Sequence, residues 1–221
     1  MTQTISIQAR QKPINTIKKA LEIIQGLTKT DKMPSSSYSI PAQACNKGAK
    51  LRKIKGSVCS TCYALKGNYK RYPAIVKAQY RRLESINNPQ WAESMIYLIN
   101  NKKDIVNSGV FRWHDSGDIQ SLEHFDKILQ VVKATPQIKH WLPTKESQII
   151  KNYTGKIPHN IVIRLSGSMI DSETTPIYNN TSLVTTDPAK ATCRSFENDG
   201  KCGDCRKCWD KSIKNITYLQ H

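Results

Sequence analysis

The chain has 221 residues, with 34 Lys and Arg against 17 Asp and Glu, which gives a formal net charge of +17. A composition of 38% hydrophobic and 23% charged residues is that of a globular protein and excludes a collagen, a coiled coil or a disordered chain. No apolar run approaches the ~18 residues that span a bilayer, and the first residues lack the basic-then-apolar layout of a signal peptide. We therefore expect a cytosolic protein with one main domain and no membrane partner.

The first third of the chain predicts helices. Apolar residues three and four apart between Pro13 and Lys29 predict an amphipathic helix, and a Ser-rich linker follows at 33–37. Tyr38–Pro41 is interpreted as a short strand. Two further helices are predicted over about 63–86 and 90–102, the second of them starting after Pro89.

From residue 110 onward, predicted strands and helices alternate. The predicted strands are Val110–Trp113, Lys139–Leu142, Asn160–Leu165 and Leu183–Thr185, and the predicted helices are Ser121–Ala134 and Glu146–Tyr153. Such alternation indicates parallel strands joined by right-handed crossovers. The chain is short for an eight-unit barrel of about 250 residues. We therefore predict an α/β fold, built as a partial (β/α) barrel or an open, mostly parallel sheet with a cysteine-rich C-terminal extension.

The chain divides by composition into three parts. Residues 1–35 hold the N-terminal helix and linker, residues 36–190 hold the α/β core, and residues 191–221 hold a cysteine-rich, metal-binding segment of the same domain.

Polar residues follow three of the predicted strands. They are His114, Asp115, Ser116 and Asp118 after the first, Thr144 and Lys145 after the second, and Ser166 and Ser168 after the third. Because parallel strands place their carboxyl ends at one edge, these groups are expected to face one cleft. His114 and Asp115 suit metal binding, acid–base chemistry or a polar ligand, although a structural pair is the alternative. Arg164 interrupts an apolar strand and so requires an acidic partner such as Asp118 or an anionic ligand.

Seven cysteines fall into a group of four and a group of three. Cys193, Cys202, Cys205 and Cys208 include a tight C-x2-C-x2-C run, which is the spacing of ferredoxin loops that hold a four-iron cluster. Thiolates select zinc or iron–sulfur clusters. We favour a cluster here, with zinc and then unliganded cysteines as alternatives.

The group of three is Cys45, Cys59 and Cys62. Three thiolates on a four-iron cluster leave one iron open to an outside ligand, as a catalytic zinc keeps one position for water. The alternative is a zinc ion completed by His114 or His140.

A basic run lies between Cys45 and Cys59 and contains Lys50, Arg52, Lys53 and Lys55. More cations follow over 66–82, interleaved with Tyr63, Tyr69, Tyr72 and Tyr80. Cations and aromatic rings together are typical of nucleic-acid binding, and a solvated basic face is the alternative.

Several segments together resemble a known family. They are Ser39–Ala42, Cys59-Ser-Thr-Cys-Tyr-Ala-Leu-Lys-Gly, Phe111-Arg-Trp-His-Asp-Ser-Gly-Asp118 and Arg164-Leu-Ser166. Their order resembles the phage proteins called gene product eighty-eight, over about residues 37–209. That family looks in turn like a remote branch of the radical S-adenosylmethionine superfamily, in which a three-cysteine four-iron cluster at the top of a partial barrel cleaves a bound sulfonium. The resemblance implies such a cluster at Cys45, Cys59 and Cys62, and an auxiliary cluster at the other four cysteines.

Two functional hypotheses result. The first is an iron–sulfur enzyme with two [4Fe-4S] clusters that binds S-adenosylmethionine and modifies a nucleic acid or nucleotide. Its pocket residues are His114, Asp115, Asp118, Lys145 and Arg164 as catalytic groups and Ser116, Thr144 and Ser166 as cofactor contacts. The second is a non-enzymatic nucleic-acid-binding protein stabilised by zinc or clusters. Either protein would work in the cytoplasm, that of the host if a phage encodes it.

Overall fold

A computed structural model describes residues 13–173 and 179–220. Six parallel strands form one sheet, and their order across the sheet is their order along the chain. The strands are β1 (Ser37–Tyr38), β2 (Val110–Trp113), β3 (Lys139–Thr144), β4 (Ile161–Ser166), β5 (Thr181–Thr185) and β6 (Asn215–Leu219). The sheet is open, with β1 and β6 at its edges. The predicted α/β class and open parallel sheet are confirmed.

Helices form most of the connections. They are α1 (Ile17–Ile24), α2 (Asn46–Leu51), α3 (Gly67–Arg71), α4 (Pro73–Ser85), α5 (Trp91–Asn101), α6 (Lys103–Ser108), α7 (Leu122–Ala134) and α8 (Ser147–Asn152). The start of α7 is fixed by Ser121, whose hydroxyl accepts a hydrogen bond from the His124 amide at 3.1 Å. The two longest helices have 13 residues each. Within the described ranges, none of the helices has the length and apolar character that crossing a membrane requires.

Several predicted boundaries differ from the structure for local reasons. Helix α1 ends at Ile24, because Gln25 and Gly26 take left-handed backbone angles, with φ of 60° and 91°. The single helix predicted over 63–86 is broken into a 3-10 turn, α3 and α4, and Pro73 begins α4 because proline suits only the first turn of a helix. Strand β6 and helix α6 are not among the predicted elements.

The two faces of the sheet have different covers. Side chains alternate along β2, so Phe111 and Trp113 point into the core beneath the helices while Val110 points to the opposite face. On that opposite face, Val110 packs with Trp141, Cys208 and Trp209. The cysteine-rich C-terminal segment therefore covers the face of the sheet that the helices leave open.

Candidate metal and ligand-binding site

The three-cysteine loop lies across the carboxyl edge of the sheet. Cys45 lies directly before α2, at the N-cap position, whereas Cys59 and Cys62 lie on and just after the 3-10 turn Val58–Thr61. Hydrogen bonds tie this loop to the segments that follow three strands. The Val58 amide donates to the Ser168 carbonyl at 2.9 Å, the Lys47 amide to Glu146 Oε1 at 2.8 Å, and Gln220 Nε2 to Thr61 Oγ1 at 3.3 Å.

Gly48 leaves a small space between two of these thiols. A Cβ atom built on Gly48 would lie 2.9 Å from Cys45 Cβ and 3.7 Å from the sulfurs of both Cys45 and Cys59. Both sulfurs therefore border the same space, which any larger residue at position 48 would fill. This is the kind of cradle that a thiolate-bound group needs.

Burial and mutual proximity affect these thiols. Burial, followed by Asp118 and the neighbouring thiols, raises the pKa of Cys45 to about 12, and burial also raises the pKa of Cys59. Across residues 13–173 and 179–220, no three His, Cys, Asp or Glu side chains are arranged to hold a metal ion as they stand. The metal assignment therefore stays a prediction.

A polar cavity of about 230 Å³ lies beside the three-cysteine loop. The polar side chains in its lining include Lys47, Lys145, Ser147, Ser166 and Ser168, and the lining contains no described Asp or Glu. Lys145 Nζ donates to the Gly167 carbonyl, and burial lowers the pKa of this lysine while Cys59 and Asp118 oppose that effect. Two lysines and several hydroxyls without a carboxylate form a site that suits an anion.

Asp118 and Thr144 fix the backbone at the end of β3, next to the cavity. Asp118 accepts hydrogen bonds from Thr144 Oγ1 at 2.6 Å and from the amides of Ile119 and Lys145, both at 2.8 Å. Burial nevertheless raises the pKa of Asp118 to about 6. Asp118 therefore positions the backbone that carries Lys145.

His114 does not line the cavity. Its backbone is left-handed, with φ of 53°, and its side chain is 3% exposed. The ring packs edge-on against His124 at 5.4 Å, and neither ring nitrogen has a hydrogen-bond partner among the described residues. Burial lowers the pKa of His114 well below its ordinary value, so the ring is neutral.

Asp115 and Ser116 are also buried away from the cavity. Asp115 Oδ1 accepts from Ser37 Oγ at 2.9 Å, while Asp115 Oδ2 and Ser116 Oγ have no described partner. Burial raises the pKa of Asp115. The single cleft expected at the strand ends is thus divided, since only the groups after β3 and β4 line the cavity.

Arg164 is bound by backbone carbonyls and not by the acidic partner that its burial predicts. Its guanidinium donates to five backbone carbonyls, those of Lys207, Cys208, Asp210, Ile213 and Thr181, at 2.8–3.5 Å. Carbonyl oxygens satisfy all its donors, which is why no carboxylate is needed. The expectation of Asp118 as its partner is wrong, and Arg164 anchors the C-terminal segment instead of lining a pocket.

The four C-terminal cysteines form a second group against the sheet. The Cys193 amide donates to the Thr217 carbonyl of β6 at 3.0 Å, and the Cys208 sulfur lies 3.2 Å from the Tyr218 hydroxyl. Burial raises the pKa of Cys202, where Cys193 and Cys205 add to the effect, and raises that of Cys208 to about 11. Cys193 and Cys202 therefore lie close enough to Cys208 to affect its ionisation, and Cys205 lies close enough to affect that of Cys202.

Each cysteine group has an arginine that sequence reasoning does not assign to it. Arg52 Nη2 donates to the Ala42 carbonyl at 3.0 Å, and its charge favours the thiolates of Cys45 and Cys59. Arg112 lies over the Trp141 ring at 4.5 Å, and its charge favours the thiolates of Cys202 and Cys208. Neither has a described partner at Nε. An arginine inside the apolar run Val-Phe-Arg-Trp is the signal by which Arg112 could have been found.

The remaining predicted residues are His140, proposed as a zinc ligand, and the cations of the basic run. His140 lies beneath the helices, where Nδ1 accepts from Trp113 Nε1 at 3.2 Å and Nε2 lies 2.9 Å from Thr135 Oγ1, so it is not available to complete a zinc site. In the basic run, Lys50, Lys53 and Lys55 are exposed, whereas Arg52 turns inward.

Comparison with known proteins agrees with the family resemblance that the motifs indicate. No curated protein and no solved structure matches the chain. The family model described as Gene product 88 matches residues 8–211, a range that includes all seven cysteines and the polar residues that follow β2, β3 and β4. The chain therefore belongs to the Gene product 88 family.

Proposed function

We propose that the protein is an iron–sulfur enzyme that resembles the radical S-adenosylmethionine enzymes. Cys45, Cys59 and Cys62 would hold a cluster with one open metal position, and the four C-terminal cysteines would hold a second. The observation that carries this proposal is the space at Gly48, which two half-buried thiols border at the carboxyl edge of a parallel sheet.

The lining of the cavity next to that loop favours an anionic ligand, which supports the proposed binding of a cofactor with a carboxylate. When bound, the cluster would supply an electron to a sulfonium cofactor. The residues of the chain itself do the binding: Lys47 and Lys145 attract a carboxylate or phosphate, and the hydroxyls of Ser147, Ser166 and Ser168 donate hydrogen bonds to it. Asp118 keeps Lys145 in place.

Zinc is the alternative metal, and the spacing of the cysteines argues against it. A zinc ion holds its sulfur ligands at about 2.3 Å and usually takes them as two separated pairs. The run Cys202–Cys205–Cys208 has instead the spacing of a loop that wraps a four-iron cluster.

Anaerobic purification tests the metal. We expect a brown protein with broad visible absorption and with iron and sulfide in equal amounts. Cys59→Ala and Gly48→Ala should remove the metal of the first site only, and Cys205→Ala that of the second only. A colourless protein with stoichiometric zinc, or loss of all metal in each variant, contradicts the proposal.

Binding of S-adenosylmethionine is a separate test. Calorimetry on the iron-loaded protein should show binding that Lys145→Met weakens and that the exposed Lys133→Met leaves unchanged. Reduction with dithionite should then release 5′-deoxyadenosine. If the protein is brown but binds no S-adenosylmethionine, the cluster part of the proposal is kept and the cofactor part is wrong.

A non-enzymatic nucleic-acid-binding protein is the second candidate. It is favoured by a groove of about 490 Å³ in which Lys50 and Lys53 lie beside Cys45. The triple variant K50Q/K53Q/K55Q should flatten the salt dependence of oligonucleotide binding by about 0.7–0.9 for each phosphate that it no longer neutralises, without changing metal content. Absence of binding by the wild type at low salt would exclude this partner.

A further inference from the structure

The exposed aromatic side chains are concentrated in one segment. Among the described residues, Tyr63, Tyr72 and Tyr80 are the only Phe, Tyr or Trp side chains that are largely exposed, at 47%, 50% and 41%. The other described aromatic rings are wholly or partly buried. Exposure of three large rings within 18 residues costs hydration free energy that a bound partner can recover.

The same segment carries cations and no acid. From residue 32 to residue 83 there is no Asp or Glu, whereas there are twelve Lys and Arg. Those on and around α3 and α4 that are exposed are Lys66, Lys70, Arg71, Lys77 and Arg81. The first acidic residue after this segment is Glu84. The exposed surface of residues 63–83, which we call the tyrosine face, therefore carries positive charge and no acidic side chain, and Glu84 lies at its C-terminal end.

The tyrosine face begins at the three-cysteine loop. Tyr63 directly follows Cys62, and its ring packs edge-on against Tyr69 of α3 at 6.3 Å. The Tyr63 hydroxyl donates to the Asp115 carbonyl, which fixes this ring at the end of β2. Tyr72 then joins α3 to α4, and Tyr80 lies on the exposed side of α4. A strand bound along this face would thus reach the carboxyl edge of the sheet.

We infer that the tyrosine face binds single-stranded nucleic acid by stacking bases on Tyr72 and Tyr80 while the surrounding lysines and arginines contact phosphates. This inference rests on the nucleic-acid partner named under the proposed function and specifies where that partner binds. It does not depend on which metal the cysteines hold. Every base has a π-face, so stacking needs a strand whose bases are free, whereas a duplex offers only its phosphates to this surface.

An anionic membrane fits this surface less well. An interfacial helix needs an apolar face with Trp, Phe or Leu to enter the lipid. No Leu, Ile, Met, Phe or Trp of α3 and α4 is largely exposed. Besides the cations and tyrosines, the exposed side chains of these two helices are Asn68, Pro73, Ala74 and Glu84. The combination of stacking rings and charge is that of a nucleic-acid surface.

The test compares substitutions that remove the rings with substitutions that keep them. Y72A, Y80A and the corresponding Phe variants Y72F and Y80F are titrated by fluorescence anisotropy with a single-stranded oligonucleotide, with its duplex, and with an abasic strand of the same length. L122A, a change at a residue that is 44% exposed on α7, is the control for removal of exposed apolar surface.

We expect Y72A and Y80A each to weaken binding of the single strand about fivefold or more, because each variant lacks one base–aromatic stack. The Phe variants and L122A should bind like the wild type, and the duplex and the abasic strand should bind more weakly than the single strand. Metal content and thermal unfolding of each variant show whether the fold is kept.

Two results would overturn the inference. In the first, the wild type binds oligonucleotides but the Ala variants bind as tightly, or the abasic strand binds as well as the intact one. In either case nucleic acid remains the partner, but its bases do not stack on the tyrosine face. If the wild type binds no oligonucleotide at low salt and instead binds phosphatidylserine vesicles, both the face and the nucleic-acid partner are wrong.

Discussion

The two faces of the sheet bury different kinds of polar group. Beneath the helices lie His124 and His140, at 2% and 0% exposure, whose pKa values burial lowers to about 3. On the opposite face lie Arg112 and Arg164, which remain charged because the guanidinium does not lose its proton in proteins. The two histidines beneath the helices are thus neutral, and the buried cation on that side, Arg82 of α4, donates to the carbonyl and hydroxyl oxygens of Ser39. The opposite face keeps the positive charges of Arg112 and Arg164.

This difference indicates where anions belong. A buried charge without compensation costs free energy, and Arg164 avoids that cost by binding five carbonyls. Arg112 has a weaker set, because its Nη1 contacts Met33 Sδ at 3.6 Å and its Nε has no described partner. The buried Asp115 lies near enough to favour its charge, but within the described ranges Arg112 forms no ion pair. The nearby thiols Cys202 and Cys208, once bound to a metal as thiolates, would supply its counter-charge.

Substitution of Arg164 should have the largest effect on the difference between the two faces of the sheet. Arg164→Met leaves five carbonyls without their donor, so we expect the free energy of unfolding to fall by about 3–5 kcal/mol and residues 191–213 to become the first site of proteolysis. Denaturant unfolding and limited proteolysis measure this. The control is Arg194→Met in the same segment, an exposed residue paired with Glu197, which should leave the free energy of unfolding nearly unchanged because an exposed ion pair contributes little. Equal losses in the two variants would mean that Arg164 is not an anchor.

Titration of the helical face should show the neutrality of its histidines. The unfolded chain protonates His140 near pH ~6.5, whereas the folded chain does so only near pH 3, so stability falls as the pH drops through this window by about 1.4 kcal/mol per unit for each such histidine. His140→Gln should therefore reduce the slope of unfolding free energy against pH, measured between pH 7 and 5, by about that amount. Asn152→Gln, an exposed change that neither adds nor removes an ionisable group, is the control and should leave the slope unchanged. An unchanged slope in the first variant would mean that His140 is charged in the fold.

Substitution of the arginine near each cysteine group should have the smallest effect, a weaker retention of metal by that group. Arg112→Met should weaken metal retention by the four C-terminal cysteines about tenfold, the order expected for one unit charge acting over roughly 10 Å within a protein. Arg52→Met should instead weaken retention by Cys45, Cys59 and Cys62. Chelator competition followed by metal analysis distinguishes the two sites when it is combined with the Cys59→Ala and Cys205→Ala backgrounds. If both variants affect the same site, the assignment of one arginine to each group fails.

Much of the fold is accessible from the sequence because the period of the apolar residues changes near residue 110. The strands β2, β3 and β4 combine β-branched and aromatic residues with flanking polar turns, and the pattern predicts each within two residues of its start. Strand β6 escapes prediction because its residues follow the cysteines, where loops are expected. Its Ile-Thr-Tyr-Leu run carries the same strand signal.

The site is only partly predictable, because sequence order does not show the direction in which a side chain points. Lys145 and Ser166 line the cavity because Lys145 directly follows β3 and Ser166 is the last residue of β4. The left-handed backbone of His114 instead turns that residue toward α7. The importance of Gly48 follows from the distance to two sulfurs, which no spacing rule contains. Arg52 looks like part of a basic run, yet it contacts the backbone next to Cys45.

The contact between Gln220 and Thr61 has a consequence for the order in which the chain is made. These residues are 159 positions apart, and β6 must pair with β5 before Gln220 can reach the three-cysteine loop. During synthesis the loop that holds Cys59 and Cys62 therefore emerges long before the strand that secures it. For that interval the contact that ties Thr61 to the end of β6 is absent, so the cluster proposed for the first site would have time to enter before the sheet is complete.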